Sequence, residues 1–192
     1  MMTRVLALGL CACASASNGG AHRVHADQLD AHWLRAAPTP VIQQRRETDC
    51  GVAALAMIEG TWGRRASVDA LARRAPPAGD GVRLGALRDL ARADGLDAFA
   101  IHATRDDLRH ELAAGRPVVL GLVLPYDRER NRSHYEVAIA LDPRDGTVVT
   151  IDPATGATQS RPTKVLDLEW KASGNAALVV TGHRKGASHD ST

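Results

Sequence analysis

The chain has 192 residues, enough to bury one good core and too few for a second sizeable domain. Its formal charge of +2 and scattered basic residues form no stripe for a phosphate backbone, and one Phe with two Tyr gives no stacking platform for bases. A nucleic-acid partner is therefore excluded.

The segment MMTRVLALGLCACASAS places Arg4 before a short apolar run, Val5 to Leu10, and then small residues. It reads as an export signal over residues 1–17, since the run is far too short to span a bilayer. Leu10-Cys11-Ala12-Cys13 resembles a bacterial lipobox, with Cys13 the candidate for acylation because bulky Leu10 precedes Cys11. Ala14-Ser15-Ala16 offers a conventional cleavage site instead. Either way the mature chain is expected to be exported to the periplasmic side, with a lipid anchor to the membrane if Cys13 is used. Residues 18–40 read as a polar tether with one short helix, Asp27 to Ala36, ending at Pro38 and Pro40.

The folded region is expected over 41–182. Asp49 is placed to cap a helix whose apolar face holds Val52, Leu55, Ala56 and Ile58 and which Gly60 stops. Ser67 caps a helix to Arg74, and Leu84 to Ala93 shows a third at helical spacing. Between them, Pro76-Pro77 and the glycines at 79 and 81 make a loop at a cleft edge that lacks the lysine and spacing of a phosphate-binding loop. Ala98 to His102 reads as a strand, and Thr104 with Asp107 opens a helix to Ala114. PVVLGLVL from Pro117, HYEVAIAL from His134 and TVVTID from Thr147 read as strands, the last two joined by the turn PRDG. Lys164 to Lys171 forms a final helix, Ala176 to Thr181 a last strand, and 183–192 a polar tail expected to be disordered. Helices first and antiparallel strands second give an α+β domain.

Chemistry points to Cys50, the one cysteine of that region. A thiol at a helix N-terminus feels the positive end of the macrodipole, which favours the attacking thiolate. Gln44, six residues upstream, is positioned to donate its amide to an oxyanion. A thiolate needs a base and a group to orient that base. Of eight histidines, His134 is favoured because it begins a strand after a polar loop, whereas His102 sits mid-strand in a structural position. Asp152 ends the hairpin's second strand without a turn to explain it. A strict register from Asp142 paired with Thr147 sets Asp152 opposite Val137, so contact with His134 requires sheet twist or a bulge to shift it by two or three residues. The scattered histidines and single core cysteine give no metal-ligand spacing, and no cofactor is expected.

Gln44, Asp49-Cys50-Gly51, His134-Tyr135 and Asp152-Pro153, in that order, resemble the papain-like bacterial cysteine peptidases that process bacteriocin precursors after a double-glycine leader. The resemblance runs from about Val41 to Val180. It implies a papain-like fold with N-terminal helices on a C-terminal antiparallel sheet. It further implies Cys50 as nucleophile, His134 as base and acid, Asp152 as orienter and Gln44 as oxyanion donor. Asp49 is assigned to capping. The partners implied are a peptide or protein substrate and a secretion or transport system. Glu136 stands where the family usually has an apolar residue, on the strand face of His134, where it is either solvated or alters the substrate groove. Two other readings of the scaffold are a cysteine acyltransferase or amidase, and a non-catalytic peptide-binding domain, which loss of Cys50 or Gln44 would mark.

Overall fold

The computed structural model of the chain describes residues 20–79, 81–124 and 132–182. The export signal and lipidation site expected within 1–17, and the tail expected over 183–192, lie outside the described residues. In chain order the elements are β1 (His22–Arg23), β2 (Leu34–Arg35), α1 (Cys50–Thr61), α2 (Val68–Arg74), α3 (Leu84–Ala93), β3 (Asp97–His102), α4 (Arg105–Ala113), β4 (Val118–Leu124), β5 (Arg132–Leu141), β6 (Val148–Asp152), β7 (Ala157–Ser160), α5 (Thr163–Ala172) and β8 (Ala176–Thr181). The strands form one sheet in the order β1-β7-β6-β5-β4-β8-β3, with β2 pairing β5 off that path.

Strand alternation sorts the core into two halves. Val118, Leu120, Leu122, Ala177 and Val179 face Leu108 and Leu112 of α4 and Leu166 and Trp170 of α5. Val119, Val137, Leu178 and Val180 face α1, α2 and α3. The domain is α+β as expected, but helices cover both faces of the sheet, because each strand alternates apolar residues on both sides and neither face tolerates water. Trp170 closes the α5 side by donating its indole N–H to the Ala176 carbonyl at 3.0 Å.

α1 is the central helix. Every residue of it but Gly60 is buried, so it carries no polar stripe. Gly60 does not stop it; the helix runs on to Thr61, and Gly63 supplies the left-handed residue beyond it at φ 74°. Gly60 is needed for another reason. A Cβ there would sit 2.5 Å from Pro40 Cγ, so only glycine lets Pro40 pack on the helix. Asp49 precedes α1, but its carboxylate accepts the Arg46 backbone N–H at 3.1 Å and fixes the 3-10 turn Glu47–Asp49 rather than capping α1 itself. Ser67 and Thr104 cap α2 and α4 as expected.

Two expectations are corrected. The stretch expected as tether and helix is instead part of the sheet from residue 22 onward: β1 pairs β7, and β2 pairs β5. Leu29, Val24 and Trp33 pack over Ala140 and Val149, and that apolar cover holds the segment down where a helix would have left it unpartnered. β7 has no counterpart in the sequence reading because its residues, ATQS, carry no apolar alternation.

Candidate active site

The N-terminus of α1, the start of β5 and the end of β6 converge at one end of the sheet. Gly51 permits the convergence: a Cβ at that position would meet Tyr135 Cδ2 and Leu87 Cδ1 at 3.1 Å. The first turn of α1 therefore lies directly on Tyr135, bringing Cys50 beside the neighbouring His134.

His134 is buried, and its Nε2 lies 2.8 Å from Asp152 Oδ1. The ring is also hydrogen-bonded to the Cys50 thiol. With Nε2 committed to the carboxylate, Nδ1 is the nitrogen left for the sulfur. The register explains how Asp152 arrives. β5 and β6 pair Leu141 with Val148 and Ala140 with Val149, then slip at Ile139, so that Ala138 meets Thr150 and Val137 meets Ile151. Without that slip Asp152 would oppose Val137 and share the face of α1. With it, Asp152 falls opposite Glu136, on the strand face of His134, one diagonal step away. The shift is one residue, smaller than the two or three the sequence calls for, because a diagonal contact across the pair is enough.

Asp152 is anchored by more than the imidazole. Oδ1 accepts the Ala154 N–H at 2.8 Å and Oδ2 the Thr155 hydroxyl at 3.0 Å. Burial pushes its pKa up, but the hydrogen bond and charge of His134 and these two donors outweigh it and hold it below the usual value. For His134 burial disfavours the cation, yet the hydrogen bonds it makes to Asp152 and Cys50 and the charges of Glu136 and Asp152 win, and its pKa is pushed up to about 10. Burial and the neighbouring sulfur likewise push the Tyr135 phenol up to about 12.

Gln44 is tied to the same end of the sheet, its backbone N–H donating to the Pro153 carbonyl at 2.8 Å. Its side-chain Nε2 donates to the Arg46 carbonyl at 2.9 Å and loosely to that of Glu47 at 3.4 Å, while its buried Oε1 has no partner. Its amide is thus held by its own loop, with one N–H only weakly engaged. His102 donates its Nδ1–H to the Gly174 carbonyl at 2.7 Å, a structural bond as expected.

Cys50 opens on a cleft of about 290 Å3 whose walls are Ala78, Gly81, Val82 and Arg83 on one side and Ser133 and Tyr135 on the other. The glycine loop expected at a cleft edge does border it. Among the described residues Cys50 is the free cysteine, and it is buried.

Glu136 corrects a sequence expectation. It is not solvated: it is 1% exposed, accepts the Thr150 hydroxyl at 2.5 Å and is ion-paired with Arg161, which also pairs with Glu169 of α5. Nor does it line the cleft. Nothing in the sequence linked these residues, because they come from separate elements. Ligand atoms of His134, Glu136 and Asp152 lie within 4.8 Å of one another, but their oxygens are already taken up by Arg161, Thr150, Ala154 and Thr155. That is a hydrogen-bonded cluster and not a set of open metal ligands.

Residues 38–181 match the Peptidase C39 family. The chain belongs to that family. It is a cysteine peptidase with a papain-like fold. A C39-like peptidase from Bacillus anthracis is similar over 80% of this chain and 99% of its own, with a TM-score of 0.63 at 22% identity. The peptidase domain of Streptococcus ComA, a bi-functional ABC transporter, aligns over 76% of this chain and 100% of its own, with a TM-score of 0.61 at 17% identity. A double glycine motif protease from an AMS/PCAT transporter, solved with a leader peptide, gives 0.60 at 19% identity over 76% of this chain and 93% of its own. At such identities these likenesses speak to the fold. By sequence the C39 chain is 28% identical over 137 residues to the Escherichia coli probable microcin-H47 secretion/processing ATP-binding protein MchF, 71% of this chain but 18% of the relative's length.

Proposed function

We propose that Cys50, His134 and Asp152 form the catalytic triad of this peptidase, with Gln44 donating to the oxyanion. The observation that carries this is one imidazole shared by two groups: Asp152 at 2.8 Å on Nε2, and the Cys50 thiol, which acts on the ring as a second hydrogen-bond partner. In this reading the Cys50 thiolate attacks the peptide carbonyl carbon, and negative charge develops on the carbonyl oxygen. The N-terminal end of α1 and the weakly engaged N–H of Gln44 stabilise that charge. The imidazolium then protonates the leaving amine, the C–N bond breaks, and an acyl-enzyme forms on sulfur. His134 next takes a proton from water, whose oxygen attacks the thioester and restores the thiol. Asp152 keeps the ring oriented throughout and stays ionised.

The substrate in this reading is a peptide cut after a double-glycine-like site. The cleft at Cys50, about 290 Å3 and lined by Val82, Arg83, Ser133 and Tyr135, has room for a short stretch of peptide chain. Related proteins carry the words leader peptide and secretion/processing in their descriptions, which supports a secreted precursor as substrate and a transport system as partner. The N-terminal sequence supports export and a lipid anchor on Cys13, and Cys13→Ser would then release the protein from the membrane fraction.

A precursor peptide with a double-glycine leader, incubated with the protein and followed by mass spectrometry, is expected to be cut at that site. Cys50→Ala is expected to abolish the cut. An intact precursor after incubation with the wild-type protein would remove the double-glycine reading. Cleavage that survives in Cys50→Ala would remove the triad.

A further inference from the structure

The reaction described above leaves one buried carboxylate without a task. Glu136 lies two residues along β5 from His134, on the same strand face, and its carboxylate is within 4.8 Å of the ligand atoms of both His134 and Asp152. A charge buried so completely costs several kcal/mol unless it is paired and hydrogen-bonded on all sides. It is so held. Oε2 accepts the Thr150 hydroxyl, and Oε1 accepts from the Arg161 guanidinium and, at 3.4 Å, from the Gln159 amide. Arg161, itself 3% exposed, turns its other nitrogen to Glu169 of α5. Glu136 therefore stands between two cationic groups, the guanidinium and the imidazole.

We propose that Glu136 is a positioning residue for the His134–Asp152 pair, acting through its fixed carboxylate on the imidazole and through Thr150 on the β5–β6 register. The inference rests on the triad reading given above. Two physical arguments carry it. Thr150 is two residues before Asp152 on the same face of β6, so its bond to Glu136 ties the two strands together beside the point where His134 and Asp152 meet. A fixed anion at this range also favours the charged imidazole, in a site where water does not screen it. The groups facing the ring are Cys50 from α1, Asp152 from β6 and Glu136 from β5 itself. Tyr135 lies beside Cys50, and Arg161 and Glu169 stand behind Glu136.

The test follows alkylation of Cys50 by iodoacetamide against pH in the intact protein, read by mass spectrometry. In the wild type the rate should show an alkaline step where the His134 imidazolium loses its proton. Glu136→Gln keeps the shape and removes the charge, and should move that alkaline step down by about one pH unit. Arg161→Met added to Glu136→Gln removes the cation left behind, and should return the step toward the wild-type position. A merely structural role would not reverse in this way. The proposal is overturned if the Glu136→Gln profile superimposes on the wild type, or if single and double variants shift alike. A second arm titrates the His134 ring by NMR in Thr150→Val, which keeps the side-chain shape but removes the hydroxyl donor to Glu136 Oε2. Its imidazole should titrate at a different pH from the wild type, and an unchanged titration again overturns the proposal. If His134→Ala alkylates with the wild-type profile, the triad reading itself fails, an outcome distinct from failure of Glu136 alone.

Discussion

Asp152 accepts three hydrogen bonds, from the His134 ring, the Ala154 N–H and the Thr155 hydroxyl, and is itself buried. Asp152→Asn keeps the shape but withdraws the charge that favours the imidazolium. The folded-state pKa of His134, now about 10, should fall, so the alkaline limb of peptide hydrolysis moves to lower pH. The rate at neutral pH should drop by about a hundredfold or more, checked by a kcat/KM profile from pH 5 to about 10. Glu59 gives a second prediction, about stability. Burial and the nearby Asp94 carboxylate push its pKa from 4.5 up to about 7, and its buried Oε1 has no partner. A raised folded-state value favours the fold below pH 4.5, and that contribution is lost as pH rises through 7. Glu59→Gln, which cannot ionise, should therefore raise Tm at pH 8 and change it little at pH 4.5. Thermal melts at the two pH values decide it. At this scale the site was legible where chemistry narrows the choice: a single cysteine ahead of an apolar helix, a histidine after a loop, an aspartate without a turn to explain it. Glu136 and Arg161 were not legible as partners, since a lone charged residue carries no sign of what it will meet 25 positions away.

Among the elements, the helices and the longer strands follow from apolar spacing and caps, and α3 and β8 end where the sequence places them. β1, β2 and β7 do not, because two-residue strands have no period and β7 is held partly by polar contacts of Gln159 and Ser160. The Asp152 argument called for sheet twist or a bulge, yet VAIAL alternates without a break and gives no mark of the slip at Ile139. Close approach was also hidden. Gly60 looked like a stop signal and is instead a contact with the ring of Pro40. Gly60→Ala drives a methyl against a proline that cannot rotate away, and should destabilise the fold by about 1–3 kcal/mol. Urea unfolding should then show a lower midpoint with an unchanged slope.

Across the whole molecule, one sheet is covered by α1, α2 and α3 on one face and by α4 and α5 on the other, and the candidate site lies at one end where both halves contribute side chains. β1 and β2 lie outside the family match, which begins at residue 38. The segment that joins them nevertheless covers Ala140 and Val149 with Val24, Leu29 and Trp33. Removing residues 1–37 should leave a folded peptidase domain whose stability falls by about 2–4 kcal/mol, the apolar area of those side chains, measured by chemical denaturation. The solitary thiol has a further consequence. An oxidant that converts Cys50 to a sulfenic acid finds no second cysteine between residues 14 and 192 to resolve it. Recovery must come from a small reductant diffusing into the cleft. In an oxidising milieu the enzyme would then work only while its surroundings supply that repair.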